Sequence, residues 1–106
     1  VYVTGNIQTS QEYIGDNAVR EDIVQYLGGT LSSGNNFAGG LQLGDDVIYG
    51  EIEAAIFSVQ GVYDVSSVQI GVSASPSGTA NLTMAVSDEP TADATDGSIV
   101  VNPTPV

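Results

Sequence analysis

Thirteen carboxylates and a single base, Arg20, make up the charged side chains of this 106-residue chain, so side-chain chemistry here falls mainly to Asp and Glu. Four acids gather in one run, Asp88 and Glu89 followed by Asp93 and Asp96, where hard oxygen ligands could meet a cation. A calcium loop spaces about six ligands over about twelve residues and closes with a bidentate carboxylate, and that order is missing. The run reads as a solvated acidic turn, with a cation site as the rival reading. Paired acids can also split their pKa values for glycosidase or aspartic-protease work. Asp45 with Asp46, and Glu51 with Glu53, are the other close pairs, but they fall at the start and on the outer face of an expected helix. Solvation there keeps a carboxylate ordinary. The chain has no His and no Cys, which removes imidazole catalysis, the Ser-His-Asp triad, thiolate zinc sites and disulfides. Gly28-Gly29 and Gly39-Gly40 lack the lysine and the strand-to-helix setting of a phosphate loop. Asn81-Leu82-Thr83 is a formal glycosylation triplet that matters only in an exported protein. No catalytic, cofactor-binding or metal-binding residue is therefore assigned.

The formal net charge is −12 with no lysine, which disfavours the basic footprint that nucleic acid requires. The five Tyr residues have no basic partners along the chain, so a base-stacking platform is not expected either. No apolar run approaches a membrane span. Charge this heavy often marks disorder, yet 42% hydrophobic residues with clear periodicities argue for a packed core. Many acids, no lysine and abundant small residues together resemble proteins of salt-loving cells, where molar salt screens self-repulsion. The plainer alternative is an acidic piece of a longer chain whose bases lie elsewhere.

The elements that would position these residues follow from periodicity. Val1, Val3, Gly5 and Ile7 alternate with Tyr2, Thr4 and Asn6, predicting a first strand. Thr9 and Glu12 fit a capping box opening a helix that turns Ala18 or Val19, Ile23, Tyr26 and Leu27 inward. Gly28-Gly29 stops it. Arg20 stands four residues after Asp16, a pair worth about 0.3 kcal/mol. Residues 30–44 have no sustained period and form a long connection, in which Phe37 either faces a partner or plugs the core. Ile48, Ile52, Ala55, Ile56 and Val59 then mark one face of a second helix, with Asp45 and Asp46 at its dipole-positive start. Gly61 is placed to stop that helix in a left-handed conformation, with Val62 packing the turn. From Val68 the period becomes two, with Val68, Ile70 and Val72 on one face. Pro76 and Gly78 punctuate a turn, residues 80–86 read as a strand hairpinning back, and residues 98–102 as a short last strand.

The expected fold is α+β: a two-layer sandwich with two helices on one face of a mainly antiparallel sheet of three or four strands, in the order β-α-α-β-β-β. Residues 1–102 form one domain cut from a longer protein, and residues 103–106 an extended tail.

The run LQLGDDVIYGEIEAAIFSVQGVYDVSSVQIG resembles the C-terminal part of the baseplate J-like proteins of contractile phage tails and related injection machines. That family's Leu-x-Leu-Gly segment is matched by Leu41, Leu43 and Gly44, and its Gly-Val-x-Asp-Val signature by Gly61, Val62, Asp64 and Val65. Residues 1–27 resemble the segment that precedes these in the family, and the likeness extends to about residue 72. Residues 30–40 look longer than the family's connection, and the family's usual charged positions are small or acidic. The resemblance implies a wedge component of the baseplate, in the cytoplasm before assembly, joining the tail-tube hub to outer parts without an active site. Its partners would be other baseplate and tail proteins, self-association included. Its working surfaces would be an exposed sheet edge, the 30–44 connection and the outer helix faces. The alternative, from another class, is a small cation- or ligand-binding surface domain using the loop from Asp88 to Asp96.

Overall fold

Both other strands of the main sheet pair with β1 (Tyr2–Thr9), whose side chains alternate as its sequence does. Val3, Gly5, Ile7 and Thr9 are buried, while Asn6 and Gln8 are exposed. The computed structural model describes residues 1–38, 40–84 and 90–105. Within them β4 (Val62–Gly71) runs antiparallel to β1 on one side and β6 (Ile99–Pro105) parallel to it on the other. A second, smaller sheet holds β2 (Gly29–Thr30), β3 (Asn36–Phe37) and β5 (Ala92–Asp93) in the order β3-β2-β5. The helices α1 (Asp16–Leu27) and α2 (Tyr49–Phe57) supply Val19, Ile23, Val24, Leu27, Ile52 and Ile56 to a core shared with Val3, Ile7, Val68, Ile70, Ile99 and Val101. Each fully buried Leu or Ile contributes about 1.5–3 kcal/mol of transfer free energy, so this one cluster carries the fold.

The α+β class is as expected, but the sheet is not. There are two small mixed three-stranded sheets rather than one mainly antiparallel sheet. Residues 80–84 form no hairpin with β4. Leu82 instead exchanges two 2.9 Å hydrogen bonds with Val47, and the Tyr49 N–H donates to Asn81 Oδ1 at 2.8 Å. This segment straps the start of α2, where backbone donors would otherwise be orphaned. The rest of the expected strand, residues 85 and 86, lies outside the described residues. Pro103, Thr104 and Pro105, expected in a tail, continue β6 in register with Ile7, Gln8 and Thr9.

Local signals also move. Thr9 stays in β1, opposite Val62 and Pro105, so it cannot cap a helix. The reciprocal pair forms one residue later, with Ser10 Oγ donating to Glu12 Oε2 at 2.7 Å, and α1 begins only at Asp16. The Asp45 and Asp46 carboxylates accept from the Gln42 and Met84 N–H groups, 2.8 and 3.2 Å away, and leave the start of α2 to Asn81 and to the Tyr26 hydroxyl. Gly28 ends α1 as expected, its N–H donating to Val24 O. Arg20 donates to Asn17 Oδ1 at 3.0 Å and to Ile99 O at 3.1 Å, while Asp16 accepts from the Tyr13 hydroxyl. Arg20 is thus a brace between α1 and β6. In the 30–44 connection a two-residue hairpin, β2 with β3, sits where no period is legible. Phe37, Leu31 and Leu41 pack against the core, and Leu43 is exposed.

The pairing pattern decides which backbone groups remain free at the sheet's edges. Val3 N–H donates to Ser98 O, so the odd-numbered residues of β6 turn their amide groups to its outer edge. There Arg20 takes Ile99 O, and Pro103 and Pro105 offer no N–H. On β4 the outward groups belong to Ile70, Val68 and Val65. Gly78 exchanges hydrogen bonds with Ile70, the Tyr49 hydroxyl donates to Val68 O, and Val65 N–H donates to Asp64 Oδ1. A bulge at Ser67 (φ 52°) bends this edge further. The face away from the helices carries Tyr2, Thr4, Asn6 and Gln8 of β1, Asp64, Ser66 and Gln69 of β4, and Val100, Asn102 and Thr104 of β6.

Candidate functional site

Gly61, Val62, Asp64 and Val65 lie at the junction of α2 and β4. α2 ends at Phe57, the chain turns through Ser58 to Gln60, and Gly61 adopts φ 85°. A Cβ at Gly61 would lie 2.1 Å from Tyr13 N and 2.2 Å from Tyr13 Cα. Glycine is therefore required twice, by conformation and by the chain crossing over it. Gly61 O accepts from Ser10 N–H at 2.8 Å, tying the β1–α1 loop to the same turn. Val62 and Val65 pack on the core, and Asp64 uses a carboxylate oxygen on the Val65 N–H. The Gly-Val-Tyr-Asp-Val segment is thus a joint in which each matched residue has a structural task. Leu41 likewise packs on the core, whereas Leu43 is 62% exposed.

Two tyrosines to which the sequence assigns no role hold this joint in place. The Tyr49 hydroxyl reaches from α2 to Val68 O beside the Ser67 bulge. Burial, with Glu53 nearby, pushes its phenol pKa up. Tyr13 donates to Asp16 Oδ1, and burial followed by that carboxylate pushes its phenol well above the ordinary range. Neither is readable from periodicity, because each acts through its hydroxyl across a change of element.

In the described part of the acidic run, Asp93 and Asp96 are engaged in local hydrogen bonds. Asp93 Oδ1 accepts from the Thr95 N–H at 2.7 Å and the Thr95 hydroxyl at 2.6 Å. Asp96 Oδ1 accepts from the Ser98 N–H at 2.9 Å and from its hydroxyl, and these bonds hold its carboxyl below the usual range. These are side chains closing their own turns. Asp88 and Glu89 lie outside the described residues, as does Gly39. Among the described residues no group of three or more Asp or Glu side chains is gathered to hold a metal ion. Asp45 and Asp46 are spent on the Gln42 and Met84 N–H groups, and Glu51 and Glu53 stay on α2. Asp93 and Asp96 do line an open cleft of about 310 Å³ between the two sheets, with Tyr2, Thr30, Asn36 and Ser98.

Of the three expected docking surfaces, the sheet edges have part of their polar groups taken within the chain, through the bonds to Ile99, Val68, Ile70 and Val65. Exposed apolar side chains lie elsewhere: Leu43 before α2, Phe57 at its end, Tyr63 at the joint and Ile14 before α1. No helix among the described residues is long and apolar enough to cross a membrane. Comparison with protein-family models, curated proteins and solved structures gave no match.

Proposed function

We propose that this chain is a structural assembly domain of the baseplate J-like type, acting by protein–protein contact in a contractile-tail particle of a salt-loving host. The observation that carries this reading is the α2–β4 joint. Gly61, Val62, Asp64 and Val65 match the family signature, and each has a physical task in seating α2 on the main sheet. Exposed Leu43, Phe57, Tyr63 and Ile14 supply the kind of apolar surface that subunit contacts cover. Docking in this reading uses a sheet edge, the 30–44 connection and the outer helix faces, with the loops around the joint.

The test is to raise antibodies against the purified chain and label intact tail particles for electron microscopy. Label at the baseplate end is expected, and particles unlabelled there would overturn the reading. A calcium titration followed by melting checks the rival cation-binding reading. The expected outcome is no stabilisation by calcium beyond that given by KCl of equal ionic strength. A saturable, calcium-specific rise in melting temperature would favour the rival.

A further inference from the structure

We propose that the Asp96–Gly97 peptide bond is a site of spontaneous backbone modification, isoaspartate formation, which Ser98 holds in check while the chain is folded. Nothing in this depends on how the chain assembles.

An aspartate followed by glycine is the aspartyl sequence most prone to this reaction, because glycine has no Cβ to shield its own nitrogen. Asp96–Gly97 is the one such pair in the chain, and no Asn-Gly pair is present. Both residues are exposed. Gly97 stands at φ 84°, and a Cβ built on it would meet nothing within 4 Å. Water, which the reaction first releases and then takes up, reaches the bond freely.

The step is internal to the chain. The Gly97 nitrogen attacks Asp96 Cγ, and a C–N bond closes a cyclic imide. One carboxyl oxygen leaves as water, taking the carboxyl proton and the amide proton. Water then opens the imide. Addition at Cγ restores aspartate, whereas addition at the Asp96 main-chain carbonyl leaves the backbone running through Cβ and Cγ, longer by one carbon. No oxidant, reductant or metal takes part.

Loss of water needs the neutral carboxyl, because the ionised form has no proton to leave with its oxygen. In the fold, Asp96 Oδ1 accepts from the Ser98 N–H at 2.9 Å and from the Ser98 hydroxyl. Hydrogen bonds to the charged form favour it, and these hold the carboxyl below its usual range. The reactive form is thereby depleted. The two bonds also seat Oδ1 on Ser98, so Cγ turns elsewhere only by giving both up. Asp93 makes the same closure on Thr95 but is followed by Ala94, which makes it an internal control. The modification has a structural cost as well. Ser98 O accepts from Val3 N–H at 2.9 Å, so an extra backbone carbon just before it displaces the start of β6 against β1.

The test is to age the wild type, Ser98→Ala and Ser98→Thr at about pH 6, above the ordinary carboxylate range, both folded and in urea. Isoaspartate is counted by methyl transfer from an isoaspartate-specific methyltransferase and assigned to its residue by peptide mass spectrometry. Residue 96 of the folded wild type should convert at least about tenfold more slowly than in urea, the suppression that one pKa unit supplies. Ser98→Ala should move the folded rate at least about threefold toward the urea rate, while Ser98→Thr, which restores the hydroxyl, stays near the wild type. Asp93 should stay unmodified throughout. Melting curves confirm that each variant is folded. Should Ser98→Ala not fold, the pH profile of the wild type decides, because the folded rate should begin its rise at lower pH than the rate in urea. A folded wild type that converts as fast as the chain in urea overturns the proposal. So does a folded Ser98→Ala that ages at the wild-type rate, or a pair of coincident pH profiles. Each outcome leaves the assembly reading to the labelled particles.

Discussion

A single hydrogen atom decides whether the α2–β4 joint closes. Replacing Gly61 by alanine would set a methyl 2.1 Å from Tyr13 N and hold a non-glycine residue at φ 85°. The neighbour is backbone and cannot swing aside, so the expected loss exceeds about 2 kcal/mol, read as a lower urea midpoint. A loss under about 0.5 kcal/mol would mean that the β1–α1 loop does not cross the turn. Tyr13, on the other side of this contact, has a pH signature. Its phenol pKa is raised above the ordinary 10.0, so the folded chain keeps a proton that the unfolded chain releases. The stability this contributes is complete below the ordinary value and is lost as pH rises through the folded one. Tyr13→Phe should therefore flatten the fall in melting temperature above about pH 10 relative to the wild type. Parallel curves would remove the effect.

At the scale of elements, hydrophobic period reports faces and is silent on partners. Ile52, Ile56 and Val59 on one helical face, and Val68 and Ile70 at alternate strand positions, are buried as the spacing predicts, whereas Val72, expected on the same strand face, is 73% exposed just past the end of β4. Ile48, on the same predicted helical face, is 40% exposed because α2 begins one residue after it. Ile56→Ala should cost about 2–5 kcal/mol, as expected of a core isoleucine with 2% exposure. The last strand was legible in residues 98–102, but its place beside β1 was not, because the alternation in residues 80–86 resembles that of a strand. Asn81 and Leu82 bind the start of α2 instead, a contact between residues more than thirty positions apart that no local pattern encodes. The same holds for Tyr49. Tyr49→Phe removes its bond to Val68 O and should cost about 1 kcal/mol in thermal or urea unfolding. The described part of the acidic run shows the converse: a turn was legible there and Asp93 and Asp96 bond residues two positions on, although Ala92 and Asp93 also pair with β2 as β5, which was not legible.

For the whole molecule, the dominant quantity is the −12 charge carried on a 106-residue fold. Self-repulsion opposes compaction and salt screens it, so the melting temperature should rise as KCl goes from millimolar to molar. A flat response would sink the salt-adaptation reading while leaving the fold untouched. The sheet topology adds a constraint in time rather than in energy. β1 is the centre of the main sheet and precedes both of its partners in the chain, which begin at residues 62 and 99. Closing loops of that length before any pairing is rewarded makes folding slow, in the millisecond-to-second range of long-range topologies. During synthesis the edge of β1 toward β4 stays open until residues 62–71 are made, and the edge toward β6 until residues 99–105 are made. β1 is therefore exposed to wrong strand partners until β6 has been made and closes the sheet.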